Sequence, residues 1–403
     1  MVLFKKLLCH SKDIATNILA ALLIGITVGC ITALFGKVLL DITSFRTKYS
    51  LYLIPFLGIS GFIIIKMYQY WGKDCINGMS LIFETGHHDR NNIPKRLIPL
   101  VIIATWLTHL FGGSSGREGV AVQIGATVGY NTGRKLNSSN NASNILLIAG
   151  MAAGFSGLFR TPVAAVFFAL EVLTVGKIRY DALLPVVVAS YSANLTSSFL
   201  GLEQFHVSLQ ENIDFSLVFV LKLIVLGLIF GFVGRGFSIT LRVLKDILAK
   251  RIPKASQRAF AIGIFISLVS LLCFYGRYSG LGTNLISFSF QEDIYSFDWI
   301  LKFIFTVLTL AAGYQGGEVT PLFAIGAALG AALAAPLGVP TVICAALGYV
   351  AVFGSASNTL MAPLFIGAEV FGFEYLPIFF PVCVLAYAVN GNQTIYSKQK
   401  ILN

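Results

Sequence analysis

Apolar residues fall in long uncharged blocks along this chain, at residues 14–36, 51–65, 97–116, 119–133, 142–159 and 182–202. Further blocks follow at 223–234, 259–276, 303–317, 319–368 and 375–397. A straight helix needs about 20 apolar residues to cross a ~30 Å hydrocarbon core, so several of these runs are too short. The block 319–368 is too long for one helix and is broken by Gly326, Gly330, Pro336, Gly338, Pro340, Gly348, Gly354 and Pro363. The pattern predicts an all-α polytopic membrane protein with tilted and broken helices. Helices that stop partway are tolerated only where their backbone is buried in protein or lines a cavity.

Composition reinforces this reading. Charged residues make up 12% of the chain, against about 25% in a soluble domain, which excludes a soluble enzyme or a disordered chain. The net charge of +11 comes from 29 Lys+Arg in short loops between apolar runs, so it reads as topology, and no nucleic-acid partner is expected. The linker 242–258 holds Arg242, Lys245, Lys250, Arg251, Lys254 and Arg258 against Asp246, and is expected on the cytoplasmic side. Lys5, Lys6 and Lys12, Lys177 with Arg179, and Lys398 with Lys400 place both termini and one further loop on that side. The acidic segment 203–214, with Glu203, Glu211 and Asp214, is the expected outer loop. The six cysteines form no CxxC pair, so neither a zinc site nor a disulfide framework is indicated. The start lacks a cleaved signal peptide's layout. No cofactor or metal is implied.

An internal repeat divides the chain. Gly116-Arg-Glu-Gly-Val-Ala-Val-Gln-Ile-Gly125 lines up with Gly317-Glu-Val-Thr-Pro-Leu-Phe-Ala-Ile-Gly326, and Gly150, Thr161 and Glu171 match Gly348, Thr359 and Glu369. With the loop charges, the copies run in opposite orientations. The expected division is a cytoplasmic segment 1–13, a first membrane repeat 14–202, the outer loop 203–214, an inverted repeat 215–390 and a cytoplasmic segment 391–403. Inverted repeats with broken helices meeting at the midplane are a transporter design.

The glycine-rich turn Gly112-Gly-Ser-Ser-Gly-Arg-Glu118-Gly119 opens the helix that continues through Val120. A helix start offers unpaired amides and a positive dipole end, which together hold an anion. Gly316-Gly-Glu318-Val319-Thr320-Pro321 opens the matching helix, and Ile76-Asn77-Gly78-Met79-Ser80 is a third such start. Converging starts hold an anion without a fixed cation that would trap it. Glu118 is itself an anion at a helix start, so it competes with a transported anion and must swing away or take a proton. Such a residue couples anion movement to proton movement. The plainer reading is a helix cap or a pair with Arg117, which is expected to orient its loop by hydrogen bonds.

Through these motifs the chain resembles the CLC-type anion transporters over nearly its whole length. The resemblance rests on Gly116-Arg-Glu-Gly119 with Gln123, on Gly316-Gly-Glu-Val-Thr-Pro and on the inverted repeat. It implies a homodimer with one ion pathway per subunit, Glu118 as the external gate, and Tyr396 as an inner-gate tyrosine. Departures from the chloride-transporting members are informative. Asn77-Gly78-Met79-Ser80 stands where a Gly-Ser-Gly-Ile-Pro loop is usual, Val319 replaces a phenylalanine, and Val172 follows Glu171 where a second glutamate is usual. These features resemble the bacterial subgroup that exports fluoride in exchange for protons. The resemblance assigns anion contacts to Asn77, Gly78, Met79, Gly119, Val120, Val319, Thr320 and Tyr396, and Glu318 and Thr320 are candidates for the proton route.

Other readings carry less. Glu84, His87, His88 and Asp89 lack metal-ligand spacing and are expected on a loop surface. Gly113-Ser-Ser115-Gly116 resembles the nucleophile motif of intramembrane serine proteases, but the required later histidine is His206 in the outer loop. Glu171 and Glu369 fit a structural or a proton role equally. The expectation is a non-enzymatic fluoride/proton antiporter of the plasma membrane, with fluoride, protons, lipid and a second copy as partners. A CLC chloride/proton exchanger or passive anion channel is the alternative, and the serine protease is a remote one. The chain ends soon after Tyr396, so no appended regulatory domain is expected.

Overall fold

The computed structural model describes residues 2–136, 140–211 and 215–402, and the side chains among these except those of 2–14 and 140. Asp214 and the side chains of Lys5, Lys6 and Lys12, which helped assign the sides, lie outside that set. The first half carries α1 (Val2–Lys48), α2 (Ser50–Leu53), α3 (Leu57–Met67), α4 (Met79–Gly86) and α5 (Leu97–Leu110). It continues with α6 (Glu118–Lys135), α7 (Asn140–Phe159), α8 (Pro162–Glu171) and α9 (Leu183–Phe199). The second half carries α10 (Leu217–Arg251), α11 (Ala255–Leu272), α12 (Thr283–Phe290) and α13 (Asp298–Ala312). It closes with α14 (Val319–Leu337), α15 (Thr341–Ser357), α16 (Met361–Phe371) and α17 (Leu376–Asn390). Eight helical segments are long and apolar enough to cross a bilayer. By contrast α8 and α16, with 10 and 11 residues, reach only about half the hydrocarbon thickness at 1.5 Å per residue.

The punctuation of block 319–368 has a backbone cause. α14 ends at Gly338 (φ +57°) and α15 at Asn358 (φ +55°), both left-handed caps that stop a helix without stranding its last carbonyls. Arg160 (φ +65°), at the corresponding break between α7 and α8, takes the same unusual conformation. Its guanidinium is tied to Asn194 Oδ1 at 2.8 Å and the Leu202 carbonyl at 2.7 Å, which offset that strain.

The two halves interlock around a pseudo-two-fold axis. Gly116 and Gly317, matched in the repeat, form an antiparallel bridge with N···O distances of 2.5 and 2.8 Å. Phe167 and Phe365, also matched, stack with centroids 4.4 Å apart between α8 and α16. Within each half, two helices pack backbone to backbone. A Cβ on Gly125 or Gly150 would fall on the other's carbonyl, and Gly326 and Gly348 repeat the arrangement. Small residues permit such close approach in lipid, where packing rather than water expulsion holds helices together.

α1 runs unbroken through residues 13 and 14. Beside the helices of this all-α fold, β1 (Thr174–Val175) pairs in parallel with β2 (Lys400–Ile401). That ladder tethers the C-terminal segment beneath α8, where Gln399 Nε2 also donates to the Val172 carbonyl.

Candidate anion and proton site

Three helix starts converge, as the glycine-rich turns predict. The start of α6 meets the start of α14 at Gly119 and Gly317, where a Cβ on Gly317 would lie 3.0 Å from the Gly119 nitrogen. Gly78 (φ +47°) turns the chain into α4, and a Cβ there would lie 3.2 Å from Gln123 Oε1 on α6. Tyr396 completes the group from the C-terminal segment. Its ring stacks on Phe83 of α4 with centroids 5.2 Å apart, and its buried hydroxyl has no hydrogen-bond partner.

Glu118 is fully buried and reaches across the axis to the other copy's helix. Its Oε2 accepts from Thr320 Oγ1 at 2.5 Å, from the Thr320 amide at 3.2 Å and from the Arg117 amide at 3.2 Å. Two of these three donors are backbone amides, and the Thr320 amide belongs to the first turn of α14. The carboxylate therefore occupies the positive end of α14. It does not merely pair with Arg117, whose Nε stands 3.7 Å from Oε1. Arg117 departs from expectation in another way: its buried Nε and Nη1 make no hydrogen bond.

Beneath this capped end lies a cavity of about 710 Å³. Asn77, Gly78, Met79, Gly119, Glu318 and Tyr396 all line it. Arg242, Lys245, Arg258 and Lys398 stand at its basic part. Val120, Val319 and Thr320 are buried at the two helix starts instead of lining the cavity. The cavity thus reaches Gly119, one residue past Glu118, and at its basic part Asp246 stands among the cations. The positive field of these residues favours an anion in the cavity.

Several side chains serve roles that the sequence does not display. Glu171 accepts from the amides of Leu360, Met361 and Ala362 at 2.7–3.2 Å, capping α16. Glu369 accepts from those of Val163 and Ala164 at 3.0 and 2.8 Å, capping α8. Each copy's glutamate therefore caps the other copy's short helix. The group expected on a loop surface also does more. Glu84 lies in α4 and pairs with Lys398 at 3.2 Å, while Asp89 pairs with Lys400 at 2.8 Å. Together with the 3.0 Å Ser80–Ser397 hydroxyl contact, these hold the segment that carries Tyr396. Beside the Lys400 ammonium, the Asp89 carboxyl is held below its ordinary range. No cluster able to hold a metal occurs among the described residues.

Ser115 forms no nucleophile–base pair. Its hydroxyl is buried without a partner, and the His109 ring faces its carbonyl oxygen at 3.0 Å.

A family model described as Voltage gated chloride channel matches residues 60–391. This chain belongs to that CLC family. Among its relatives is the chloride/fluoride channel protein of Pseudomonas syringae pv. tomato, 36% identical over 94% of this chain and 85% of its own length. The crystal structure of a CLC-type fluoride/proton antiporter is 48% identical, covers 96% of this chain and 98% of its own, and superposes with a TM-score of 0.95. A slow cyanobacterial Cl⁻/H⁺ antiporter, 19% identical over 94% of this chain and 96% of its own, has a TM-score of 0.82 and shows the shared fold. This CLC protein is thus a multi-pass membrane protein of an ion-transport family.

Proposed function

We propose that this protein is a secondary active antiporter, not an enzyme, which expels fluoride from the cytoplasm while importing protons. One observation carries the reading: Glu118 occupies, through Thr320, the helix start that an anion would need. Likeness to the fluoride/proton antiporter structure supplies the choice of fluoride.

The exchange follows from competition for one set of donors. While ionised, Glu118 takes the Thr320 donors and keeps the amide end of α14 occupied. Protonation removes the negative charge that the amide end of α14 holds, so the carboxyl is released and that end is freed for an anion. Return of the carboxylate expels the anion. Anion and proton therefore use the same donors in alternation. In this reading Met79, Gly119 and Tyr396 contact the anion from the cavity, with Asn77 and Gly78 shaping the third helix start. Val120 and Val319 fix the backbone of the other two. Glu318, half-buried at the cavity wall, and Thr320 carry protons inward.

The basic residues Arg242, Lys245 and Arg258 orient the cavity mouth to the cytoplasm of a cell whose plasma membrane holds the protein. Both termini share that side, 203–214 is the outer loop, and 14–202 and 215–390 are the repeats. Two copies associate, with exposed apolar side chains such as Leu195 and Phe199 of α9 available to a partner or to lipid.

Proteoliposomes loaded with fluoride test the reading, with release followed by a fluoride electrode and internal pH by a dye. Fluoride release with proton uptake is expected, and Glu118→Gln abolishes the uptake. Equal chloride release identifies a chloride/proton exchanger; release indifferent to a proton gradient identifies a channel.

A further inference from the structure

Behind the turn that launches α6 lies a fully buried lysine, Lys302 of α13, outside the pathway described above. Its hydrogen bonds reveal its charge. Thr306 Oγ1 donates to the Lys302 carbonyl at 2.7 Å, so the hydrogen between Ser114 Oγ and Thr306 Oγ1, 2.8 Å apart, belongs to Ser114. Ser114 Oγ then faces Lys302 Nζ as an acceptor at 2.9 Å, beside the carbonyls of Tyr278 at 3.1 Å and Gly280 at 2.7 Å. Three acceptors around one nitrogen require three N–H hydrogens, which only the ammonium form provides.

A second cation sits beside it. Arg46 of α1 is buried, and its Nη1 donates to the His109 carbonyl at 3.4 Å. A Cβ on Gly280 (φ +68°) would collide with this guanidinium, and one on Gly282 (φ +88°) would crowd Lys302, at 2.7 Å from Cε. The two glycines let one loop wrap both cations. No carboxylate stands within ion-pair distance of either among the described residues. Asp298, one turn before Lys302 on α13, is already engaged by Arg277 at 2.7 Å and by the Tyr278 hydroxyl at 2.6 Å. Buried charge of one sign without a counter-ion is costly, and proteins seldom retain it without a use.

The turn ties this cluster to the gate. Lys302 holds Ser114, the Ser114 amide donates to Thr309 Oγ1 at 3.1 Å, and His109 Nε2 addresses the Ser115 carbonyl at 3.0 Å. Glu118 follows three residues after Ser115.

We propose that Lys302 and Arg46 are positioning residues for the gate, supplying an uncompensated positive field that favours the ionised, closed form of Glu118 and so sets the pH at which exchange begins. The proposal rests on the reading of Glu118 as the proton-carrying gate. Other charged or titratable groups around Glu118 are Arg117 from its own turn, Glu318 just before α14, Tyr349 from α15 and Tyr396 from the C-terminal segment. Those facing Lys302 are Arg46, His109, Tyr278 and the Arg277–Asp298 pair. Glu118 lies four positions after Ser114, at most ~15 Å of extended chain. A unit charge at ~12 Å in an effective dielectric of ~20 moves a titration by about one pH unit.

The test is the pH profile of fluoride-coupled proton uptake in proteoliposomes. A cation favours the carboxylate, so its removal lets Glu118 keep a proton to higher pH. Arg46→Met and Lys302→Met are expected to move the half-maximal point up by about one unit. Arg46→Lys keeps the parent profile. Ser114→Ala removes a bond but no charge, so it slows exchange without moving the profile. Gel filtration in detergent establishes which variants fold, and Arg46→Met, which leaves every Lys302 bond in place, decides if Lys302→Met does not. An unmoved profile in a folded cation variant overturns the proposal. A pH dependence that survives in Glu118→Gln overturns the Glu118 reading itself, and the proposal with it.

Discussion

Thr320 spends its backbone and hydroxyl hydrogens on one carboxylate oxygen of Glu118. A hydrogen bond to a charged group contributes about 1.5–3 kcal/mol, or some ten- to a hundredfold in the closed population. Thr320→Val keeps the shape and loses the hydroxyl donor. It is expected to raise fluoride leak without proton uptake by about tenfold or more, measured as electrode-detected release at zero proton gradient. Thr320→Ser is expected to retain coupling. This part of the site was legible in the sequence, because glycine-rich turns beside a lone carboxylate are local signals. Lys302 was not. It lies in an apolar run of α13, and its partners come from a turn 188 residues earlier and a loop 22 to 24 residues earlier. Only folding brings them together.

Among the helices, the short α8 and α16 depend on glutamates borrowed from each other. The correspondence of Glu171 with Glu369 was visible from the repeat, yet the choice between a structural and a proton role was not, since the partners are backbone amides that any residue carries. Glu369→Ala would leave the Val163 and Ala164 amides without their carboxylate, at about 1–3 kcal/mol for each buried group. Lower thermal stability in detergent is expected, with an unchanged fluoride-to-proton ratio in whatever folds; an altered ratio would assign Glu369 to the proton route. The C-terminal ladder was equally hidden. Two-residue strands carry no periodicity, and Lys398 and Lys400 read as topology markers until their carboxylate partners on and beyond α4 are known.

For the molecule as a whole, the contacts across the pseudo-two-fold axis make the halves mutually dependent. A chain cut within the loop at 203–211, where no helix is interrupted, is expected to yield two fragments that co-purify when expressed together. Either fragment alone is expected to be recovered poorly, because α8 or α16 then lacks its cap. Co-purification on a single affinity tag, followed by fluoride release from reconstituted pairs, checks this. The overall plan was readable from hydrophobic blocks and the repeat, whereas the axis itself appears only in the Gly116–Gly317 bridge and the Phe167–Phe365 stack. That reciprocity also speaks to ancestry. A half-length forebear bearing one copy would have lacked a carboxylate for its short helix, so it would have needed a second copy to supply one across the axis.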